Sequence, residues 1–312
     1  MKSSLISTVL NEEKNIDSFL NSISRQTKKP NEIVVVDAGS IDKTITKIRK
    51  YQGILPIRLI IKKGVNRSRG RNLAIKNANN EIIVVSDVGC ILDPSWLEKI
   101  TKPLEEKHVS VVAGNYQPIA NTAFQKCLAA YTCADIYKKG QFLPSSRSIA
   151  FKKRVWKKVG GYPKELNYCE DLVFDQKIKK AGFSFYFSEA TVLWPQRDNV
   201  KQAFWQFHNY AFGDGQVFFS KYQTHSFKIA LIFFRYLAAL LILFLATRFS
   251  FWQPVFWWLL LAYFLWPIAK TKKIFSGKAL LISPFIQLLT DLAVMIGTTR
   301  GIFANFKKRY NI

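Results

Sequence analysis

Glu81 to Asp93 reads E-I-I-V-V-S-D-V-G-C-I-L-D. Ile82, Ile83, Val84 and Val85 form an apolar run with no polar alternation. Such a run predicts a strand buried on both faces, the usual state of a central parallel strand. Ser86 and Asp87 follow at its carboxyl end, then Gly89. In open α/β sheets ligands sit in the crevice outside the carboxyl ends of the strands, so a rigid element delivers Asp87 to that edge. A carboxylate there suits a hard divalent cation that holds phosphates. A capping role for Asp87 is the competing reading, and it is redundant, because Asp93-Pro94 already offers an N-cap and an N1 proline.

The same pattern repeats on the amino-terminal side. Ser4 to Leu10 reads as a strand ended by Asn11-Glu12-Glu13, and Ile16, Phe19, Leu20 and Ile23 follow at helical spacing. Ile33 to Val36 is a second buried strand, ended by Asp37-Ala38-Gly39-Ser40, with a helix from Asp42 to Tyr51. Ile57 to Ile61 and Arg67 to Asn77 give a third strand and helix, and a further helix runs from Pro94 to Lys107. Strands alternating with crossover helices predict an α/β fold with a right-handed parallel sheet. No GxGxxG follows the first strand, which argues against a dinucleotide site. Acids stand there instead: Asp37 and Asp87 at two strand ends and Glu12 just past another. Carboxylates gathered on one edge repel one another unless a cation or donor groups intervene. Ordinary loop polarity explains single acids; their place at successive strand ends favours a site.

Composition divides the chain. Of its 312 residues 49% are apolar, and the net charge is +25. The last 87 residues carry 11 Lys/Arg against the single acid Asp291, which is +10 and leaves +15 for the rest. No zinc-finger, helix-turn-helix or RNA-recognition signature accompanies the basic charge, so no nucleic-acid partner is expected. Membrane lipid, at an anionic cytoplasmic leaflet, is the better partner. Cys90, Cys127, Cys133 and Cys169 show no metal spacing and read as reduced thiols. Only Lys2 and two serines precede the first strand, so no signal peptide is expected and the globular part stays on the side where it is made.

About 20 apolar residues span a bilayer as a helix. Ile229 to Thr247 and Phe251 to Ala269 meet that length and form a hairpin through a short link. Lys270, Lys272, Lys273 and Lys278 place the following loop in the cytoplasm. Ala279 to Thr299 is a third embedded segment, interrupted by Pro284 and Asp291, and either a full crossing or a re-entrant helix satisfies its pattern. Ahead of the spans, residues 199–222 read as an aromatic-rich amphipathic helix for the membrane interface, with Phe204, Trp205, Phe207 and Tyr210. A multi-pass plasma-membrane protein is expected, divided at 1–198, 199–225 and 226–312.

The stretches S-T-V-L-N-E (Ser7 to Glu12), V-V-V-D-A-G-S-I-D-K-T (Val34 to Thr44) and S-D-V-G-C (Ser86 to Cys90) resemble inverting family 2 glycosyltransferases of the GT-A fold. G-R-N (Gly70 to Asn72), G-G-Y (Gly160 to Tyr162) and E-D-L-V-F (Glu170 to Phe174) continue the resemblance in order. It implies that Thr8, Glu12, Asp37 and Arg71 hold a UDP- or GDP-linked sugar. It implies that Asp87 is the surviving acid of a D-x-D motif for Mg²⁺ or Mn²⁺, Gly89 replacing the second. Asp171 would be the general base, with Glu170 beside it. Arg67 and Arg69 read as solvated, because alternate spacing spreads them round a helix. Gln206 to Tyr210 resembles the Q-x-x-R-W segment of processive relatives, but Asn209 and Tyr210 replace its Arg and Trp. That favours one sugar per acceptor. His208, a lone histidine, fits packing or solvent better than a diphosphate.

The expected activity is therefore transfer of a sugar to a lipid-linked or saccharide acceptor in cell-envelope polysaccharide or glycolipid synthesis. A polyprenyl-phosphate glycosyltransferase and a catalytically inactive sugar-binding scaffold are its rivals. Nothing in the sequence bears on oligomeric state.

Overall fold

The computed structural model describes residues 1–133, 143–222, 224–272 and 277–310, with side chains through 307. In chain order the elements are β1 (Ser3–Val9), α1 (Ile16–Ser24), β2 (Glu32–Asp37), α2 (Thr44–Tyr51), β3 (Ile57–Ile61), α3 (Arg67–Asn77) and β4 (Ile82–Val85). Then come β5 (Ile91–Leu92), α4 (Trp96–Thr101), β6 (Val111–Ile119), α5 (Ala123–Thr132), β7 (Ile149–Lys152), α6 (Lys153–Lys158), α7 (Glu170–Lys180) and β8 (Tyr186–Pro195). Four helices follow: α8 (Val200–Val217), α9 (Ser226–Arg248), α10 (Gln253–Thr271) and α11 (Lys278–Tyr310). The sequence also predicts a helix over 122–139, and its part beyond 133 lies outside the described residues.

Two compact units result, Met1–Ile119 with Asp135–Pro195, and Ala120–Ala134 with Gln196–Ile312. The second unit takes in α5, which the sequence reading left in the first domain.

In the first unit the described strands form one sheet in the order β3-β2-β1-β4-β7-β6-β8-β5. β3, β2, β1 and β4 are parallel, with Ile6 level with Val34 on one side and Val85 on the other. Every residue of β4 is buried, as its unbroken apolar run requires. Beyond β4 the all-parallel expectation fails, because β7 is antiparallel to both β4 and β6, and β5 to β8. Connectivity explains it. α5, the described helix between β6 and β7, belongs to the other unit, so it does not serve as the crossover that a parallel strand needs. Ile6, Val36, Ile83 and Val85 pack with Ala74 and Ile75 of α3 and with Phe174 and Ile178 of α7. Those two helices carry the site. Gly70 lets α3 come close to β1, since a Cβ there would lie 2.7 Å from Thr8 Cγ2.

In the second unit α8 turns a small, polar face inward: Ala203, Gln206, His208, Ala211, Gly213 and Gly215 are buried, while Trp205 is exposed. Glycines explain it, because a Cβ on Gly215, Gly297 or Gly301 would lie 2.3, 2.3 or 2.1 Å from carbonyls of Thr298, His208 and Phe212. α8 and α11 therefore meet backbone to backbone. His208 is buried in this contact, with Nε2 3.3 Å from an Arg300 terminal nitrogen, which takes it away from any diphosphate role.

Ser226–Arg248, Ser250–Thr271 and Lys278–Lys307 are each long and apolar enough to cross a membrane. Pro284 does not interrupt α11. Proline has no N–H to give the carbonyl four residues back, and here the Ser283 hydroxyl donates to that Leu280 carbonyl at 2.7 Å.

Candidate active site

The ends of β1 and β2 are tied together by their loops. The Asn11 amide donates to Ser40 Oγ at 2.9 Å, Ile41 N donates to Asn11 Oδ1 at 3.0 Å, and Glu12 N donates to Thr44 Oγ1 at 2.8 Å. Asp37 is fully buried, and its Oδ1 accepts from Gly39 N at 2.8 Å and Ser40 N at 2.7 Å. Gly39 sits at φ +105°, a conformation open to glycine, and this turn closes over the carboxylate. Asp37 Oδ2 is buried and has no hydrogen-bond partner among the described residues. Glu12 Oε2 accepts from Asn15 Nδ2 at 2.7 Å.

Arg71, in the first turns of α3, is 1% exposed. One terminal nitrogen donates to Asp87 Oδ1 at 2.6 Å and the other to Glu170 Oε1. Its guanidinium lies 5.4 Å from the Tyr162 ring, which stacks at 4.0 Å on Phe174. Asn72 fixes the same corner, donating to Tyr162 O at 2.8 Å and accepting from Tyr162 N and Trp156 Nε1. Gly161 permits this, at φ +70° with Asn72 Oδ1 only 2.6 Å from where its Cβ would stand. G-R-N, G-G-Y and E-D thus form one structural unit. Cys169 enters α7 at φ +62°, a costly conformation for a side-chain-bearing residue, and so delivers Glu170 and Asp171.

Asp171 Oδ2 accepts from Ser145 Oγ at 3.3 Å, and Ser145 Oγ accepts in turn from Arg147 at 2.8 Å. Arg147 stacks 3.9 Å from the Trp194 ring centre. Burial pushes the Asp87 carboxyl up, but Arg71, Arg67 and Arg147 hold it below its ordinary value. Burial wins at Glu170, whose carboxyl is raised despite Arg71 and Arg67. The Asp175 carboxyl is driven well up by burial and by Asp171. Burial lifts the Cys90 thiol to about 12, while Arg147, Asp87 and Glu12 act on it from within electrostatic reach.

The structure therefore gathers Asp87, Glu170, Asp171 and Arg71, with Glu12 in electrostatic range, and places Thr8 and Asp37 on the adjoining strand ends. Two readings need correction. Arg71 spends its terminal nitrogens on carboxylates inside the protein, so it organises the site and offers no open fork to a nucleotide. Arg67 is not merely solvated: it donates to Asn167 O at 3.1 Å and lies over Tyr168, 4.0 Å from Glu170. Arg147 and Ser145 were missed. Their only signal was a basic residue among serines in S-S-R-S, which motif reading does not single out.

Residues 4–140 match the family described as Glycosyl transferase family 2. That match marks residues 4–140 as a glycosyltransferase family 2 domain. The O-antigen chain rhamnosyltransferase RfbN of Salmonella typhimurium is 26% identical over 207 residues, 62% of this chain and 66% of that protein. Glycosyltransferase AglE of Haloferax volcanii is 26% identical over 204 residues, 61% of this chain and 65% of its own length. These alignments span just under two thirds of either relative. A mannosyltransferase from Pyrobaculum calidifontis, solved with GDP-mannose and Mn²⁺, superposes with a TM-score of 0.59 at 18% identity. That likeness covers 99% of this chain and 87% of that one. The fold is GT-A.

A divalent ion here would rest on one protein carboxylate, Asp87, and on diphosphate oxygens. Asp87 Oδ1 is already paired with Arg71. Gly89 adopts φ +108°, so the second acid of D-x-D is replaced by a loop shape that side chains rarely take. Among the described residues no three His, Cys, Asp or Glu side chains cluster as metal ligands.

Proposed function

We propose that the protein moves one sugar, with inversion, from a nucleotide diphosphate sugar to a hydroxyl of a lipid-linked saccharide at the cytoplasmic face of a membrane. Supporting the donor half, the orphaned Asp37 Oδ2 is a buried acceptor suited to an N–H of the base, with Thr8 and Glu12 on the adjoining loop. Arg147 and Arg67 supply positive charge to the diphosphate, the guanidinium fork matching phosphate oxygens. Asp171 takes the acceptor hydroxyl proton as that oxygen bonds to the anomeric carbon. The carbon–oxygen bond to the diphosphate breaks on the opposite face, and its electron pair leaves with the nucleotide. The observation that carries this reading is Asp171 held at the head of α7 beside the Arg71–Glu170–Asp87 assembly. The names of the relatives, and the spans of the second unit, support a polysaccharide built at a membrane.

The test is nucleotide release by purified protein in lipid, with donor and acceptor screened together. Asp171→Asn should lower kcat by about 10²- to 10⁴-fold with donor affinity unchanged. Retained turnover would remove Asp171 as base and favour phosphate as the acceptor, which needs no strong base. Product anomeric configuration, read by NMR, tests inversion.

A further inference from the structure

Asp291 lies midway along α11 and is 1% exposed. Its Oδ2 accepts from Arg235, from Tyr236 Oη at 3.1 Å and from Tyr263 Oη at 3.1 Å, and its Oδ1 accepts from Gln287 Nε2 at 2.8 Å. Four donors satisfy the carboxylate, so helix packing accounts for Asp291. It does not account for the cations. Lys270 lies within electrostatic reach of Asp291, Arg235 and Lys228, 4.7 Å from the Tyr131 ring and 5.4 Å from that of Trp266. Arg235 cancels Asp291, and residues 226–312 hold no other acid, so Lys228 and Lys270 leave a surplus of two positive charges.

Arg235 lies over the Tyr236, Tyr263 and Trp266 rings, 5.5, 5.4 and 5.7 Å from their centres, yet not all its N–H donors are used. A guanidinium has five N–H donors. Here one terminal nitrogen reaches Asp291, while the buried Nε has no hydrogen-bond partner among the described residues. The side chain as a whole is one-third exposed. Gln287 Oε1 is buried and likewise without a partner among the described residues. Within apolar spans such ionisable groups mark a ligand more often than a fold device.

The geometry points to a site for the dianionic head group of a membrane lipid, a phosphomonoester or a diphosphate, formed by Arg235, Lys270 and Lys228 beside Tyr263 and Trp266. The surplus of two matches such a head group, whereas a phosphodiester phospholipid carries a single negative charge. A fork and two ammonium groups suit phosphate oxygens. The exposed apolar faces of α9 and α10, with Leu237, Leu241 and Trp258, suit its chain. The inference rests on the proposed function for one point, that the lipid is the carrier of the acceptor saccharide.

The experiment is equilibrium binding of radiolabelled farnesyl diphosphate to the full chain in phosphatidylcholine nanodiscs, without sugar donor. Saturable binding is expected, resistant to excess inorganic phosphate and to phosphatidylglycerol. It should weaken at least tenfold in Arg235→Gln/Asp291→Asn, which keeps the pair neutral, and several-fold in Lys270→Gln, which leaves the Asp291 hydrogen bonds intact. If the double variant does not fold, Lys270→Gln decides. Unchanged binding in the folded variants overturns the site. Equal competition by inorganic phosphate overturns a lipid ligand, and by phosphatidylglycerol a dianionic one. Because no donor is present, failure here leaves the Asp171 reading standing, and failure of Asp171→Asn leaves this result standing.

Discussion

Arg71 is almost wholly buried, yet carboxylates 16 and 99 residues away in sequence meet at its guanidinium. Removing such a group leaves its partners charged and unpaired, which costs about 3–5 kcal/mol. Arg71→Met should therefore lower the melting temperature sharply. Adding Glu170→Gln should return part of the loss, and a double-mutant cycle read by thermal unfolding checks this. Asp175 behaves in the opposite sense. An unfolded aspartate titrates near 3.9, whereas burial raises this carboxyl well above that in the folded chain. Between those two values the unfolded state releases a proton that the folded state keeps, so stability falls as pH rises through that window. Asp175→Asn removes the dependence. Its expected gain in melting temperature is a few degrees at pH 7 and disappears below the unfolded value, as a pH series of melting curves would show.

At the level of elements, the four parallel strands and the helices between them were legible because period and turn chemistry are local. β4 could be read from four residues, and the loops after β1 and β2 from their acids. β7 could not, since its direction depends on where the chain goes between 119 and 149, which no local pattern encodes. Arg71 was legible as a site residue but not in its role, because its partners come from β4 and α7. The inner face of α8 was not legible for a related reason. Aromatic residues dominate its pattern, but Gly297 and Gly301 on a helix 80 residues later choose the face that packs. Gly301→Val tests that contact: with Phe212 O 2.1 Å from the new Cβ, overpacking should cost at least about 1–3 kcal/mol. Gly53→Ala, where nothing lies within 4 Å, should leave the melting temperature almost unchanged.

If the donor is the proposed nucleotide diphosphate sugar, the net charge of +25 acts across the whole molecule on a substrate that is itself anionic. A field of that sign raises the local concentration of a nucleotide diphosphate sugar and speeds its encounter, an effect that acts before binding and leaves the bound chemistry alone. Salt screens it, the Debye length falling from about 10 Å at 0.1 M to about 3 Å at 1 M. The buried contacts of Arg71 are screened far less, being shielded from the ions. Raising sodium chloride from about 0.05 to 0.5 M should therefore raise the donor KM several-fold while kcat stays within about twofold. Initial rates at a saturating acceptor concentration, with the detergent or lipid held fixed, separate the two constants. A matching fall in kcat would mean that salt reaches the catalytic charges themselves, and the division between an exposed steering field and a buried, self-paired core would be wrong.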